Sequence, residues 1–188
     1  MSGPGVLLDR DGTLIRDIGY LTRVEQIELL PHAAEAIRLL SAAGLKIAIV
    51  TNQSGVGRGM MDEIELGRIH SEIEKRLAAG GAKVDGIYYC PHHPTKGIGR
   101  YLTSCDCRKP GVGMARRAAE DLDLDLRRSY VIGDKESDME LAAGVGACGI
   151  LLLDGAPPAS APYLAARDIG EAARLVIQDL RHAERRNA

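Results

Sequence analysis

Three apolar runs in this chain stop abruptly in polar, turn-forming residues, and that repeated punctuation restricts the fold more than any other feature. Val6-Leu7-Leu8 leads into Asp9-Arg10-Asp11-Gly12-Thr13, Ile47-Ala48-Ile49-Val50 into Thr51-Asn52-Gln53-Ser54-Gly55, and Tyr130-Val131-Ile132 into Gly133-Asp134-Lys135-Glu136-Ser137-Asp138. Apolar runs alternate with helical periodicity along the chain, the pattern of a parallel sheet covered by helices on both faces. The expected fold class is α/β, a three-layer Rossmann-like parallel sheet. Strands are predicted near 5–8, 46–50, 86–90, 129–132 and 148–153. Ligands of such sheets sit outside the carboxyl ends of the strands, so Asp9, Thr51 and Asp134 should meet at one edge.

Between the strands, Pro31 can open a helix with the apolar stripe Ala33, Ala36, Ile37, Leu39 and Leu40, and Gly44 can stop it. Asp62 caps a second helix that carries Ile64, Leu66, Ile69, Ile73 and Leu77 as far as Gly80-Gly81. Further helices fit 112–122, 136–143 and 170–185. The charged tail from Arg181 to Ala188 is expected to fray, and residues 155–162 read as a Pro-rich surface loop.

A chain of 188 residues suits one substantial core, and a single domain over 1–188 is expected. With 24 Lys and Arg against 26 Asp and Glu, a formal net charge of −2, nothing global attracts nucleic acid or anionic lipid. Trp and Phe are absent, which leaves few platforms for stacking bases. Neither a membrane-length apolar stretch nor a secretory leader is evident, so the cytoplasm is the expected compartment.

Asp9 and Asp11 place two acids at the mouth of a buried strand. A carboxylate leaving water needs a cation or dense hydrogen bonding, so the pair suggests an Mg²⁺-assisted reaction centre; alone, the segment reads equally as an Asx-type turn. A second cluster is softer. Cys90-Pro91-His92 and Cys105-Asp106-Cys107 form a C-x-H…C-x-C set with twelve residues between the pairs. Three thiolates and one imidazole suit a closed structural Zn²⁺ site, with reduced loop cysteines, or His93 replacing His92, as alternatives. A loop this rich in Gly and Pro, closed at residues 90–107, has little apolar material of its own to order it, and a metal would supply that cohesion.

The four elements DxDGT, TNQSG, Lys109 and GDxxxD, in this order over residues 6 to 150, resemble the signature motifs of the haloacid dehalogenase superfamily of aspartyl-phosphate phosphatases. The resemblance implies the haloacid dehalogenase fold, with Asp9 as nucleophile, Asp11 as general acid and base, and Thr51 and Lys109 holding the phosphoryl group. It implies catalytic Mg²⁺ on Asp9, the Asp11 main-chain carbonyl and Asp134. Asp138 is expected to orient the loop and Lys135 to pair with it. Only Arg16 to Leu30 separates the first motif from the first long helix, which leaves no room for a large cap domain.

The zinc set narrows the resemblance to the branch holding heptose bisphosphate and histidinol phosphatases. Leu8–Ile15, Thr51–Gly59 and Cys105–Pro110 look most like the D-glycero-D-manno-heptose 1,7-bisphosphate 7-phosphatase group. That likeness implies a small sugar bisphosphate losing its C7 phosphate in the synthesis of nucleotide-activated heptose, and a monomeric enzyme. Asp17, Ile18, Gly19 and Tyr20 would form a small flap over the sugar, joined by Asn52, Gln53, Ser54 and Arg108 as substrate contacts. Histidinol phosphate, or a broader range of sugar phosphates, is the alternative substrate.

Overall fold

A computed structural model describes residues 2–153, 155 and 160–187 of the chain. Six parallel strands form one sheet: β1 (Gly5–Leu8), β2 (Lys46–Asn52), β3 (Gly86–Cys90), β4 (Tyr130–Gly133), β5 (Cys148–Leu152) and β6 (Leu164–Ala166). Their order is β3-β2-β1-β4-β5-β6, so the chain turns back on itself around β1. Leu8 lies opposite both Ile49 and Ile132. The residues just past these positions therefore emerge together, at the crevice where strand order reverses.

Alternate residues of each strand enter two cores, as the period of two in a strand requires. Val6, Leu8, Ile47, Ile49 and Ile132 pack with Ile37 and Leu40 of α1 (Ala33–Ala42), Ile69 and Ile73 of α3 (Glu63–Ala79), and Val176 of α6 (Ile169–Asn187). Leu7, Ala48, Val50 and Val131 face Met114, Ala115 and Ala118 of α4 (Gly113–Leu122) and Leu141 of α5 (Glu136–Val145). Each fully buried Leu or Ile contributes about 1.5–3 kcal/mol by leaving water, which fixes the strands that carry the polar edge.

Several boundaries differ from the sequence expectation for local reasons. The first helix starts at Ala33 rather than Pro31, because Leu30 to Ala33 closes as a turn with Ala33 N–H donating to Leu30 O at 3.2 Å. The Asp62 cap is present, its Oδ1 accepting from Glu65 N–H at 2.7 Å. Strand β6 escaped the sequence because three residues, two of them Ala, carry little strand signal. So did α2 (Ser54–Gly57), a single turn holding two glycines. Its Gly57 is required by a close approach, since a Cβ there would collide with the Pro91 carbonyl. The last helix, expected over 170–185, runs Ile169–Asn187 and so includes the charged tail that begins at Arg181. Of the predicted loop at 155–162, residues 156–159 lie outside the described residues.

Among the described residues, no large cap interrupts the fold. Residues 9–32, between β1 and α1, contain one short 3₁₀ turn, Val24–Gln26. The cysteine loop leaves β3 and returns to α4, and it is tied to the body by Ile98 N–H donating to Gly57 O at 2.7 Å. Glu63, the first residue of α3, accepts from Tyr89 Oη at 2.7 Å, from Arg100 Nη2 at 3.0 Å and from Tyr101 Oη, so one carboxylate joins helix, edge strand and loop. Among the described residues, no helix is long and apolar enough to cross a membrane.

Candidate active site

The loop after β1 is wound tightly by its backbone. Asp9 N–H donates to Ile132 O at 2.9 Å, and the Arg10 carbonyl accepts from Leu14 and Ile15. Gly12 adopts φ +85°, and a Cβ at this position would overlap the Asp134 carboxylate. The glycine thus provides the left-handed turn and the space into which an acid from β4 is pressed.

Lys109 is 4% exposed, and its ammonium organises the acids around it. Nζ donates to Asp9 Oδ1 at 2.7 Å and Val50 O at 2.8 Å, and pairs with Asp138 Oδ1 at 2.6 Å. Burial opposes its charge, but the Asp9 and Asp138 carboxylates outweigh that and hold it above the ordinary lysine range. Asp138 is itself held by Lys135 N–H at 3.2 Å. Burial pushes Asp134 up to about 6, opposed by Lys135 and reinforced by Asp9 and Asp138.

These acids fit a hard cation. Donor atoms of Asp9, Asp134 and Asp138 come within 4.8 Å of one another, and Asp134 Oδ1 is buried without a hydrogen-bond partner. An all-oxygen set with an unsatisfied carboxylate suits Mg²⁺. The sulfur cluster fits a different ion. Cys90 Sγ lies 3.5 Å from Cys105 Sγ and 3.2 Å from Cys107 Sγ, and Cys105 lies 3.1 Å from Cys107. His92 Nδ1 is 3.7 Å from Cys90 Sγ and 3.4 Å from Cys107 Sγ. The four donor atoms all lie within 4.8 Å of one another, and three sulfurs with one imidazole suit Zn²⁺. His93 turns elsewhere and accepts from the N–H groups of Thr95 and Lys96.

Arg10, which the sequence reading passed over, is 1% exposed and governs Asp11. Its Nη2 lies 2.9 Å from both Asp11 oxygens and donates to Gln53 Oε1 at 2.9 Å. Gln53 Nε2 reaches Asp11 Oδ2 and Thr51 Oγ1, each at 2.8 Å. Asn52 clamps the main chain of Lys109, with Oδ1 accepting at 3.0 Å and Nδ2 donating at 3.1 Å. Two expected substrate contacts thus have their amides engaged by the protein. The adjacency of Arg10 to both acids was the available signal; the partners of Asn52 and Gln53 lie too far along the chain for one.

A cavity of about 230 Å³ opens beside Asp11, lined also by Gly19, Tyr20, Asn52, Ser54 and Gly55. Ile18 and Tyr20 are exposed on the flap, and the Tyr20 ring lies 5.3 Å from the Arg58 guanidinium carbon. Arg58 Nε is buried without a partner. Arg108 Nη1 donates to His92 O at 3.2 Å, which joins the end of the cysteine loop to its start. Lys135 departs from expectation: its side chain pairs with Asp17 at 3.0 Å and lies 3.8 Å from Asp134, while only its backbone meets Asp138.

The HAD-hydrolase-like family model matches residues 106–183. The chain is 44% identical over 142 residues to the D-glycero-beta-D-manno-heptose-1,7-bisphosphate 7-phosphatase of Pasteurella multocida, covering 76% of each chain. It is 40% identical over 147 residues to the Escherichia coli K12 protein of that name, covering 77% of each. Among solved structures, D,D-heptose 1,7-bisphosphate phosphatase from B. bronchiseptica, complexed with magnesium and phosphate, superposes with a TM-score of 0.80 at 32% identity, covering 94% of this chain and 99% of that one. Shared fold, acid-bearing strand ends and identity across three quarters of both lengths lead to one assignment: the chain is a phosphatase belonging to the D-glycero-D-manno-heptose-1,7-bisphosphate 7-phosphatase family of haloacid dehalogenase-like hydrolases.

Proposed function

We propose that this enzyme removes the C7 phosphate of D-glycero-D-manno-heptose 1,7-bisphosphate through a phosphorylated Asp9. The observation that carries the chemistry is the Lys109 ammonium, buried between Asp9 and Asp138 beside the unpartnered Asp134 oxygen. An anionic nucleophile can approach an anionic phosphate only where fixed positive charge offsets their repulsion. An oxygen of Asp9 attacks phosphorus while the bond from phosphorus to the C7 oxygen breaks, and Asp11 gives its proton to the departing alkoxide. Water then attacks the phosphorus, Asp11 takes up the proton, and Asp9 and inorganic phosphate separate.

Thr51 and Lys109 hold the transferred group through both steps. Asp9, Asp134 and the Asp11 carbonyl would hold Mg²⁺, which supplies charge neutralisation at the phosphoryl oxygens. Cys90, His92, Cys105 and Cys107 would hold a structural Zn²⁺ that fixes Arg108 and Lys109 at the end of the loop. Arg58, Lys96 and Arg108 all lie close enough to His93 to disfavour its protonation, after burial itself. Those cations support a substrate with a second phosphate. The β anomer is favoured by the relatives' names, and the setting is heptose activation by a cytoplasmic monomer.

The test compares kcat/KM for the α and β heptose 1,7-bisphosphates, histidinol phosphate and fructose 1,6-bisphosphate at saturating Mg²⁺. Preference for the β heptose substrate is expected. Equal or better turnover of histidinol phosphate would overturn the assignment.

A further inference from the structure

Lys135 has a side chain that the proposed chemistry leaves without a task. Its backbone is fixed to the acid cluster, N–H donating to Asp138 Oδ2 at 3.2 Å, while Nζ reaches 118 residues back to Asp17 Oδ2 at 3.0 Å. The other Asp17 oxygen accepts from Gly19 N–H at 2.8 Å, so the carboxylate also shapes the flap. Beyond Gly19, Tyr20 rests on Arg58 and lies against Gly55. The flap is thus held at two points, by a charge pair on the acid side and by a ring on the cavity side. The same ammonium stands 3.8 Å from Asp134 Oδ2, where it occupies part of the field available to a divalent cation.

We propose that Lys135 is a positioning residue that latches the Asp17–Tyr20 flap to the edge of the acid cluster, its ammonium shared between Asp17 and Asp134 so that cation binding and flap order favour each other. The inference rests on the Mg²⁺ reading above. A cation arriving at Asp9 and Asp134 repels the Lys135 ammonium and turns it towards Asp17, so filling the acid cluster tightens the flap. Conversely, a flap that has lost Asp17 leaves Lys135 free to compete at Asp134.

The two ends of the latch therefore give opposite signs. Lys135→Met should tighten Mg²⁺ binding, and Asp17→Asn should weaken it, each by about two- to fivefold given that both side chains are partly exposed. Titration calorimetry with MgCl₂ alone reads this without any sugar, so an error in substrate assignment leaves the result intact. Both variants should speed amide exchange across residues 16–22 and raise KM more than they lower kcat. The double variant should match the single ones in exchange and KM, since each removes the same contact. Lys135→Arg should restore flap protection. Mg²⁺ affinity that is unchanged or weaker in Lys135→Met, or additive flap effects in the double variant, would overturn the latch. Absence of Mg²⁺ binding by the unaltered protein would instead overturn the metal reading beneath it.

Discussion

The oxygen cluster around Asp9 and the sulfur cluster around Cys90 lie near each other on the sheet but are held together differently. In the first, Lys109 sits within 2.7 Å of two acids and Lys135 within 3.8 Å of a third, so protein cations offset much of the negative charge. In the second, the closest partners of the thiols are one another and His92, at 3.1–3.7 Å. Strand ends and the buried Lys109 ammonium can preserve the oxygen cluster before any ion binds. The sulfur cluster joins the buried last residue of β3 to a loop, and an ion bound there would supply the cohesion that the loop itself lacks. On the reading proposed above, one metal would be exchangeable chemistry and the other architecture.

The sharpest way to break this contrast is to remove the nucleophile. Asp9→Asn should lower kcat by at least about four orders of magnitude, yet leave zinc content, measured by plasma emission, unchanged. Loss of zinc in that variant would mean the clusters are not independent. Cys107→Ser tests the other side and should act on stability first. Zinc should dissociate, the thermal midpoint should fall by several degrees, and KM should rise about tenfold as Arg108 loses its anchor, with kcat changing less. A variant that keeps full zinc and an unchanged KM would place the support of Arg108 elsewhere.

Acid sharpens the comparison with a smaller effect. His70 of α3 is buried with its ring 5.7 Å from that of Tyr89, and burial, aided by Arg10, holds it down to about 3. The folded protein therefore binds a proton at His70 less readily than the unfolded chain. Its contribution is complete above the ordinary value near 6.5 and is lost as pH falls towards 3, at up to ~1.4 kcal/mol per pH unit. Urea unfolding of His70→Gln should show a shallower acid limb than the unaltered protein. An identical slope would remove His70 from the account.

Much of the chemistry was legible because it is local. Apolar runs that end in Asp9, Thr51 and Asp134 mark strand mouths, and parallel topology then brings those mouths together. The C-x-H and C-x-C pairs were equally local, and the structure brings all four donors within 4.8 Å of one another. What escaped the sequence was held by distant partners or by weak local preference. Strand β6 is three residues at a sheet edge. The amide of Asn52, an expected substrate contact, clamps the backbone of Lys109, 57 residues away, which spacing gave no sign of. Lys135 was expected to meet Asp138, three residues on, and its side chain crosses to the flap instead. Nothing in residue spacing distinguishes those outcomes, because they depend on which loop the fold lays beside which.

Gly12 carries a consequence for anyone wishing to uncouple charge from catalysis. The carboxylate of Asp134 occupies the volume that a side chain at position 12 would fill. One added methyl group would evict that acid from its niche while every ionisable residue stayed in the chain. If Asp134 holds the cation as proposed, the smallest residue of the loop would act as the gatekeeper of ion capacity, and Gly12→Ala would offer an electrostatically silent route to an enzyme that cannot load it.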